Sequence, residues 1–119
     1  MILGIGIDMV EIDRVEKACM SQAFSVRIYT ENELDVCGGK AESLAGRFAV
    51  KEAVAKALGI GFRGIKPLEI ETLRDELGKP VVKLYGEAEK QFKALGGRAI
   101  HVSITHTKTP ATAMVMLED

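Results

Sequence analysis

The segment GRFAVKEAVAKALG, residues 46–59, gives the strongest helix signal in the chain. At 3.6 residues per turn, one side of this helix is small and apolar and is predicted to face the core. That side holds Gly46, Val50, Ala53, Val54 and Ala57. Glu52 and Lys56 fall on the other side, between the small residues Ala45 and Ala49. They are either an exposed ion pair, worth about 0.2–0.5 kcal/mol, or a site that a ligand, a metal ion or another chain approaches.

The composition is that of a globular protein. With 119 residues, 47% of them hydrophobic and 28% charged, the chain is predicted to form one domain spanning residues 1–119. A core of this size is thin, so an oligomer that buries more apolar surface is expected. The net charge is −1 and the basic residues are scattered, which argues against a general nucleic-acid-binding protein.

The cysteines and the N-terminus indicate where the protein works. Cys19 and Cys37 have no CxxC spacing and are too few for a disulfide framework, which is typical of reduced thiols in the cytoplasm. The apolar segment ILGIGIDMVEI, residues 2–12, is short, carries Asp8 and Glu11, and follows no basic residue. It is therefore interpreted as neither a signal peptide nor a membrane span.

The first half of the chain predicts one strand followed by helices. The strand runs over residues 2–9, and Gly4 and Gly6 would let another backbone or a ligand come close. A helix follows over residues 11–20. Thr30 and Glu33 form a capping box for a short helix over residues 31–37. The main helix then runs over residues 41–59.

The second half is predicted to be mostly strands. A hairpin spans residues 68–73 and 81–85, a helix spans 87–95, and two further strands span 99–105 and 111–117. The resulting order, β-α-α-α-β-β-α-β-β, predicts an α+β fold with a mainly antiparallel sheet packed against the long helix.

Two short segments match functional motifs but lack the structural context that those motifs require. Residues 59–64 fit G-x-G-x-x-G, but they follow a helix instead of linking a strand to one, so a dinucleotide-binding fold is rejected. This loop is either a plain connector or a place where backbone amides approach a phosphate. Ser103 and His106 lack the G-x-S-x-G context of a serine hydrolase.

Two carboxylates suggest a magnesium site. Asp8 ends the first strand and Glu52 lies on the main helix, and Mg²⁺ typically takes one or two carboxylates together with waters and substrate phosphates. Lys56, one turn beyond Glu52, would face the same phosphates. The alternative for Asp8 is a cap on the following helix.

The chain closely resembles the holo-acyl-carrier-protein synthases, the small bacterial group of 4'-phosphopantetheinyl transferases. The resemblance covers essentially all 119 residues and rests on three blocks. They are GIDMVEI at residues 6–12, SLAGRFAVKEAVAKALG at residues 43–59 and VSITHT at residues 102–107. The middle block is the most specific of the three.

The resemblance implies transfer of 4'-phosphopantetheine from coenzyme A to a serine of an apo-acyl carrier protein, for fatty acid biosynthesis. It implies that Asp8 and Glu52 bind Mg²⁺ and that Lys56 contacts the pyrophosphate. It also implies homotrimers with active sites between subunits, and it matches Arg14 to a basic helix that docks the carrier. The residues implied to line the coenzyme site are Arg47, Gly59, Gly61, Phe62, Gly64, Ser103, His106 and Thr107.

Two readings from other classes remain open. One is a non-catalytic coenzyme A or nucleotide-binding module that regulates a partner. The other is a structural oligomer in which Glu52 and Lys56 make ion pairs between subunits. The presence of Asp8, Glu52 and Lys56 together favours the enzyme.

Overall fold

The computed structural model describes every residue from Met1 to Asp119. Five strands and five α-helices occur, with a short 3-10 helix at Pro67–Glu69 before the second strand. The elements are β1 (Ile2–Glu11), α1 (Ile12–Cys19), α2 (Gln22–Ile28), α3 (Glu31–Cys37), α4 (Ala41–Ala57), β2 (Ile70–Arg74), β3 (Pro80–Leu84), α5 (Gly86–Ala94), β4 (Ala99–His106) and β5 (Pro110–Glu118). All strand pairs are antiparallel, so the predicted α+β fold is confirmed.

The strands form two sheets. β5 lies between β1 and β4 in a three-stranded sheet, and β2 and β3 form a separate hairpin. Because side chains alternate across a strand, Gly6 and Asp8 of β1 face α4, whereas Ile5, Ile7 and Met9 face away from it. Asp8 lies opposite Ala113 of β5. The sheet therefore presents one face to the long helix and leaves the other uncovered.

Helix α4 is buried on two opposite sides, which the helical wheel did not predict. One side packs on β1 and β5, and the other packs on α1, α3 and β2. Ala45 and Ala49, expected beside Glu52 on the open side, are 0% exposed. That expectation was wrong because the second layer covers them. Glu52 and Lys56 lie at the margin between the two layers.

Two glycines bring α4 directly onto β1. A Cβ atom at Gly4 would lie 2.1 Å from the carbonyl oxygen of Ala57, and one at Gly6 would lie 1.8 Å from that of Ala53. Real side chains do not tolerate such distances. The sequence predicted that either another backbone or a ligand would approach these glycines. The structure shows that it is the backbone of α4.

The helix ends are partly as predicted. Thr30 and Glu33 form the expected capping box of α3. Helix α2 was not predicted; Ser21 caps it by accepting a hydrogen bond from the Phe24 backbone N–H at 3.3 Å. Asp8 caps no helix, since the residue that precedes α1 is Glu11. No helix combines the length and the apolar character needed to cross a bilayer.

Candidate active site

Asp8, Glu52 and Lys56 converge at the edge of the contact between β1 and α4. The Lys56 Nζ donates to Asp8 Oδ1 at 3.0 Å and to the Ile7 carbonyl oxygen at 2.9 Å. The Lys56 side chain is 53% exposed and that of Asp8 is 16% exposed. The proposed surface ion pair between Lys56 and Glu52 is thus replaced by a pair that links the helix to the strand.

The carboxylate of Glu52 is half-buried and has no hydrogen-bond or ion-pair partner within the chain. Burial raises the pKa of Glu52, the charge of Asp8 raises it further, and Lys56 partly offsets this rise. Glu52 and Asp8 are thus close enough to repel each other. Two carboxylates with a single compensating ammonium leave one negative charge at this point.

This donor set fits a magnesium ion that is completed by a substrate. Asp8 and Glu52 supply two carboxylates, and the structure contains no cluster of three or more Asp, Glu, His or Cys side chains that could enclose an ion. Mg²⁺ commonly uses one or two carboxylates and takes its other ligands from water and phosphate oxygens. The site therefore lacks the ligands of a self-sufficient metal cage and has those expected beside a phosphorylated substrate.

A second site surrounds Arg47 and His106, near the N-terminal half of α4. Arg47 is 4% exposed, and it donates to the carbonyl oxygens of Thr72 and Ser43, both at 3.3 Å. It borders a cavity of about 250 Å³ together with His106. The cavity is also lined by Glu42, Ser43, Gly46, Arg74, Gly78, Pro80 and Ile104.

Arg74 is a residue of this cavity that the sequence did not reveal. Its guanidinium, exposed at the end of β2, makes no hydrogen bond or ion pair within the chain. Arg47, Arg74 and His106 thus line one small cavity, and Glu42 is its only acidic residue. Such a charge balance favours a phosphate group.

The remaining predicted coenzyme residues lie elsewhere on the chain. Gly59, Gly61 and Gly64 adopt φ angles of 82°, 60° and 86° in the loop after α4, and Phe62 packs against the main core. The α4 backbone rises about 15 Å from Arg47 to its last residue, Ala57, at 1.5 Å per residue, and the loop lies beyond that end. A single chain therefore does not gather the predicted coenzyme residues into one pocket.

Ser103 lies on the uncovered face of the three-stranded sheet, opposite Met114. Thr107 follows β4 and donates its backbone N–H to the carbonyl oxygen of Pro110 at 3.0 Å, which fixes the turn into β5. The same sheet face carries exposed apolar side chains. They are Ile5 and Ile7, each 59% exposed, Met9 at 66% and Met114 at 43%.

Arg14 is exposed on α1, at the rim of an apolar groove of about 500 Å³. The groove is lined by Met9, Val10, Glu11, Val15, Ala18, Phe24 and Phe48. Met9 follows Asp8 on β1, and Phe48 precedes Glu52 by one turn of α4, so the groove is lined by the same two elements that carry the carboxylates. Arg14, on the predicted docking helix, therefore lines the same groove as residues of β1 and α4, the two elements of the candidate active site.

A buried ion pair anchors the side of α4 that packs on α3 and β2. The sequence did not reveal it either. Lys51 is 1% exposed, and its Nζ lies 2.7 Å from Glu33 Oε1, while it also donates to the carbonyl oxygens of Pro67 and Ile70. Burial lowers the pKa of Lys51, although the Glu33 carboxylate opposes that shift. Glu33 also accepts the Thr72 backbone N–H at 3.0 Å. The residue next to Glu52 is thereby anchored to α3 and β2.

The comparisons with known proteins identify the family of this chain. The family model of the 4'-phosphopantetheinyl transferase superfamily matches residues 4–108. A holo-[acyl-carrier-protein] synthase from Lachnoclostridium phytofermentans is 53% identical over 99% of this chain and 97% of its own length. The chain belongs to this family of transferases. The prediction of an enzyme from the holo-[acyl-carrier-protein] synthase group is confirmed.

Solved structures of the transferase family have the same fold. The holo-(acyl-carrier-protein) synthase of Bacillus anthracis in complex with CoA (3',5'-ADP) matches with a TM-score of 0.80 and 41% identity, over 98% of this chain and 96% of that one. The Helicobacter pylori synthase in complex with coenzyme A matches with a TM-score of 0.84 and 31% identity, over 96% of this chain and 99% of that one.

Proposed function

We propose that this transferase moves the 4'-phosphopantetheine group of coenzyme A to a serine of an apo-acyl carrier protein. The serine oxygen forms a bond to the β-phosphorus of coenzyme A, the bond from that phosphorus to the bridging oxygen breaks, and the serine proton is released to solvent. The leaving group is adenosine 3',5'-bisphosphate. The observation that carries the proposal is the convergence of Asp8, Glu52 and Lys56 from two elements of the fold.

The three residues have separate roles in this proposal. Asp8 and Glu52 hold Mg²⁺, which neutralises charge on the pyrophosphate. Lys56 is half-exposed, and its ammonium reaches the carboxylate of Asp8. It is therefore placed to contact the pyrophosphate and stabilise the leaving group as a point charge. Positioning and electrostatics carry such a phosphoryl transfer, so the chain needs no covalent nucleophile of its own.

The cavity around Arg47, Arg74 and His106 is suited to the 3'-phosphate of coenzyme A. Its two arginines and one histidine supply positive charge and hydrogen-bond donors that suit a phosphate monoester. The loop at residues 59–64 has an open backbone, in which a Cβ atom at Gly59, Gly61 or Gly64 would meet no atom within 4 Å. This loop is suited to bind those phosphates of coenzyme A that lie closer to Lys56.

These two parts of the coenzyme site do not share a pocket within one chain, as expected for a homotrimer with active sites between subunits. The uncovered sheet face supplies the interface, because Ile5, Ile7, Met9 and Met114 form a contiguous exposed apolar patch. Patches of this kind commonly mark protein contacts. Ser103 lies on this patch and would be brought to a subunit boundary.

The carrier is proposed to dock on α1. Arg14 is exposed beside the apolar groove, and a basic rim around an apolar surface suits an acidic carrier helix. The free cysteines Cys19 and Cys37 are consistent with a reducing compartment, so we place the reaction in the cytoplasm. We further propose that the carrier serves fatty acid biosynthesis.

Intact-mass analysis of an apo-acyl carrier protein incubated with this protein, coenzyme A and Mg²⁺ tests the proposal. The expected result is a gain of one phosphopantetheine group, lost in a chelated control and in the Glu52→Gln variant. Binding of coenzyme A without any mass gain, across several carriers, would favour the regulatory binding module instead. Retention of full turnover by Glu52→Gln would overturn the site assignment.

A further inference from the structure

The Lys56 ammonium lies against Asp8, where the proposed metal ion would also bind. Its Nζ lies 3.0 Å from Asp8 Oδ1 and 2.9 Å from the Ile7 carbonyl oxygen. Asp8 itself is held by β1 and is only 16% exposed, whereas the Lys56 side chain is 53% exposed. The carboxylate is therefore fixed and the ammonium is the part that is free to move.

The contact between them is easily exchanged. Exposed ion pairs contribute between about 0 and 1 kcal/mol, and a lysine side chain has four flexible carbons beyond its Cα. The other carboxylate of the site, Glu52, has no partner within the chain. The free protein thus keeps one carboxylate compensated and one uncompensated.

We infer that Lys56 is a resident counter-cation that keeps a divalent metal ion from binding tightly until a pyrophosphate arrives. The inference rests on the proposed function. With the ammonium on Asp8 Oδ1, the charge of Asp8 is already compensated, and only Glu52 offers a metal ion an uncompensated carboxylate. A pyrophosphate gives Lys56 a stronger anionic partner and at the same time offers oxygens to the metal. Metal ion and coenzyme A then bind with positive coupling, and the coupling is reciprocal.

Electrostatics gives the size of the effect. Two unit charges 4 Å apart interact by about 1 kcal/mol in water, and the interaction with a divalent ion is about twice as large. Screening by salt reduces this at an exposed group. Neutralising Lys56 is therefore expected to tighten metal binding to the free protein by about 3- to 10-fold, and to reduce the additional tightening that coenzyme A causes.

The test measures Mn²⁺ binding by the loss of the free-ion signal in electron paramagnetic resonance, with and without coenzyme A. The proteins are the wild type, Lys56→Met, which keeps an unbranched flexible side chain and removes the charge, and Lys56→Arg, which keeps the charge. Lys93→Met is the matched control, because Lys93 is an exposed helical lysine with an ion-pair partner, Glu89 at 3.9 Å, remote from the site.

The expected result is tighter Mn²⁺ binding without coenzyme A for Lys56→Met alone, with a smaller gain on adding coenzyme A. Equal or weaker binding by Lys56→Met in the free protein would overturn the inference. If coenzyme A still promotes Mn²⁺ binding in that case, the proposed function stands. Failure of the wild type to bind Mn²⁺ even with coenzyme A would remove both the inference and the proposed metal site.

Discussion

Replacing Gly6 by alanine should damage both the stability and the active site. The new Cβ would lie 1.8 Å from the Ala53 carbonyl oxygen, and real contacts of this kind begin near 3.0 Å. The obstructing atom belongs to the backbone of α4, so a side-chain rotation gives no relief. The helix must move away from β1 by about 1.2 Å, which is the difference between the two distances.

The consequences follow from that displacement. Overpacking a well-packed contact typically costs about 1–3 kcal/mol, and a backbone obstruction places Gly6→Ala near the upper value. For a chain of this size, about 3 kcal/mol lowers the midpoint of thermal unfolding by roughly 10 °C. Glu52 and Lys56 move with the helix while Asp8 stays on the strand. A misplacement of about 1 Å costs on the order of 100-fold in rate.

Thermal unfolding and carrier-modification kinetics together check this prediction. Gly4→Ala should have a smaller effect, since its Cβ would lie 2.1 Å from the Ala57 carbonyl oxygen. Gly46→Ala is the control for stability, because its nearest obstacle, at 3.0 Å, is the Ile104 Cγ2 methyl group, a side-chain atom. A Gly6→Ala protein with wild-type stability and turnover would refute the reasoning.

Four further predictions follow. Lys51→Met should lower the free energy of unfolding in urea by about 3–5 kcal/mol, because it leaves Glu33 buried and unpaired; adding Glu33→Gln should recover part of this loss, and a Lys51→Met protein as stable as the wild type would contradict it. Glu52→Gln should raise the thermal midpoint at pH 7, since burial and Asp8 raise the pKa of Glu52 in the folded state and its charged form is therefore unfavourable there. The gain should vanish as the pH falls below the ordinary pKa of glutamate, where both proteins are neutral at this position, and a gain that persists at pH 3 would contradict it. Arg74→Ala should raise KM for coenzyme A about 10-fold or more and leave dephospho-coenzyme A unaffected; an equal rise for both would remove Arg74 from the 3'-phosphate site. Ile5→Glu, on the exposed sheet face, should shift the sedimentation velocity from trimer to monomer and reduce turnover, whereas an unchanged trimer would move the interface elsewhere.

Local patterns predicted the parts of the fold that depend on neighbours in sequence. The capping box of Thr30 and Glu33, the hairpin and the long helix all follow from spacing and turn residues, and the structure confirms them. Helix α2 was missed because no run of charges or apolar residues marks it. Its signals are the cap at Ser21 and the four-residue spacing of Phe24 and Ile28.

Contacts between distant elements were beyond the reach of the sequence. A helical wheel placed Ala45 and Ala49 in the open, because nothing in their local pattern reveals a second packing layer. The burial of Lys51 depends on Glu33, eighteen positions away in sequence. Arg74 enters the cavity beside Arg47 only through the packing of β2 against α4. Each of these features requires a tertiary contact that has no counterpart in local periodicity.

The burial of α4 on two sides explains why its charged residues are so well suited to a site. A helix packed on one side only can roll on its support, but Lys51 anchors α4 to α3 and β2 while Gly6 seats it on β1. The side chains at the margin between the two layers are therefore held in fixed register with Asp8. Glu52 is left half-buried and unpaired there, at a cost to stability that the Glu52→Gln variant should reveal. When a fold holds a residue in a position that lowers its own stability, ligand binding explains that position more readily than packing does.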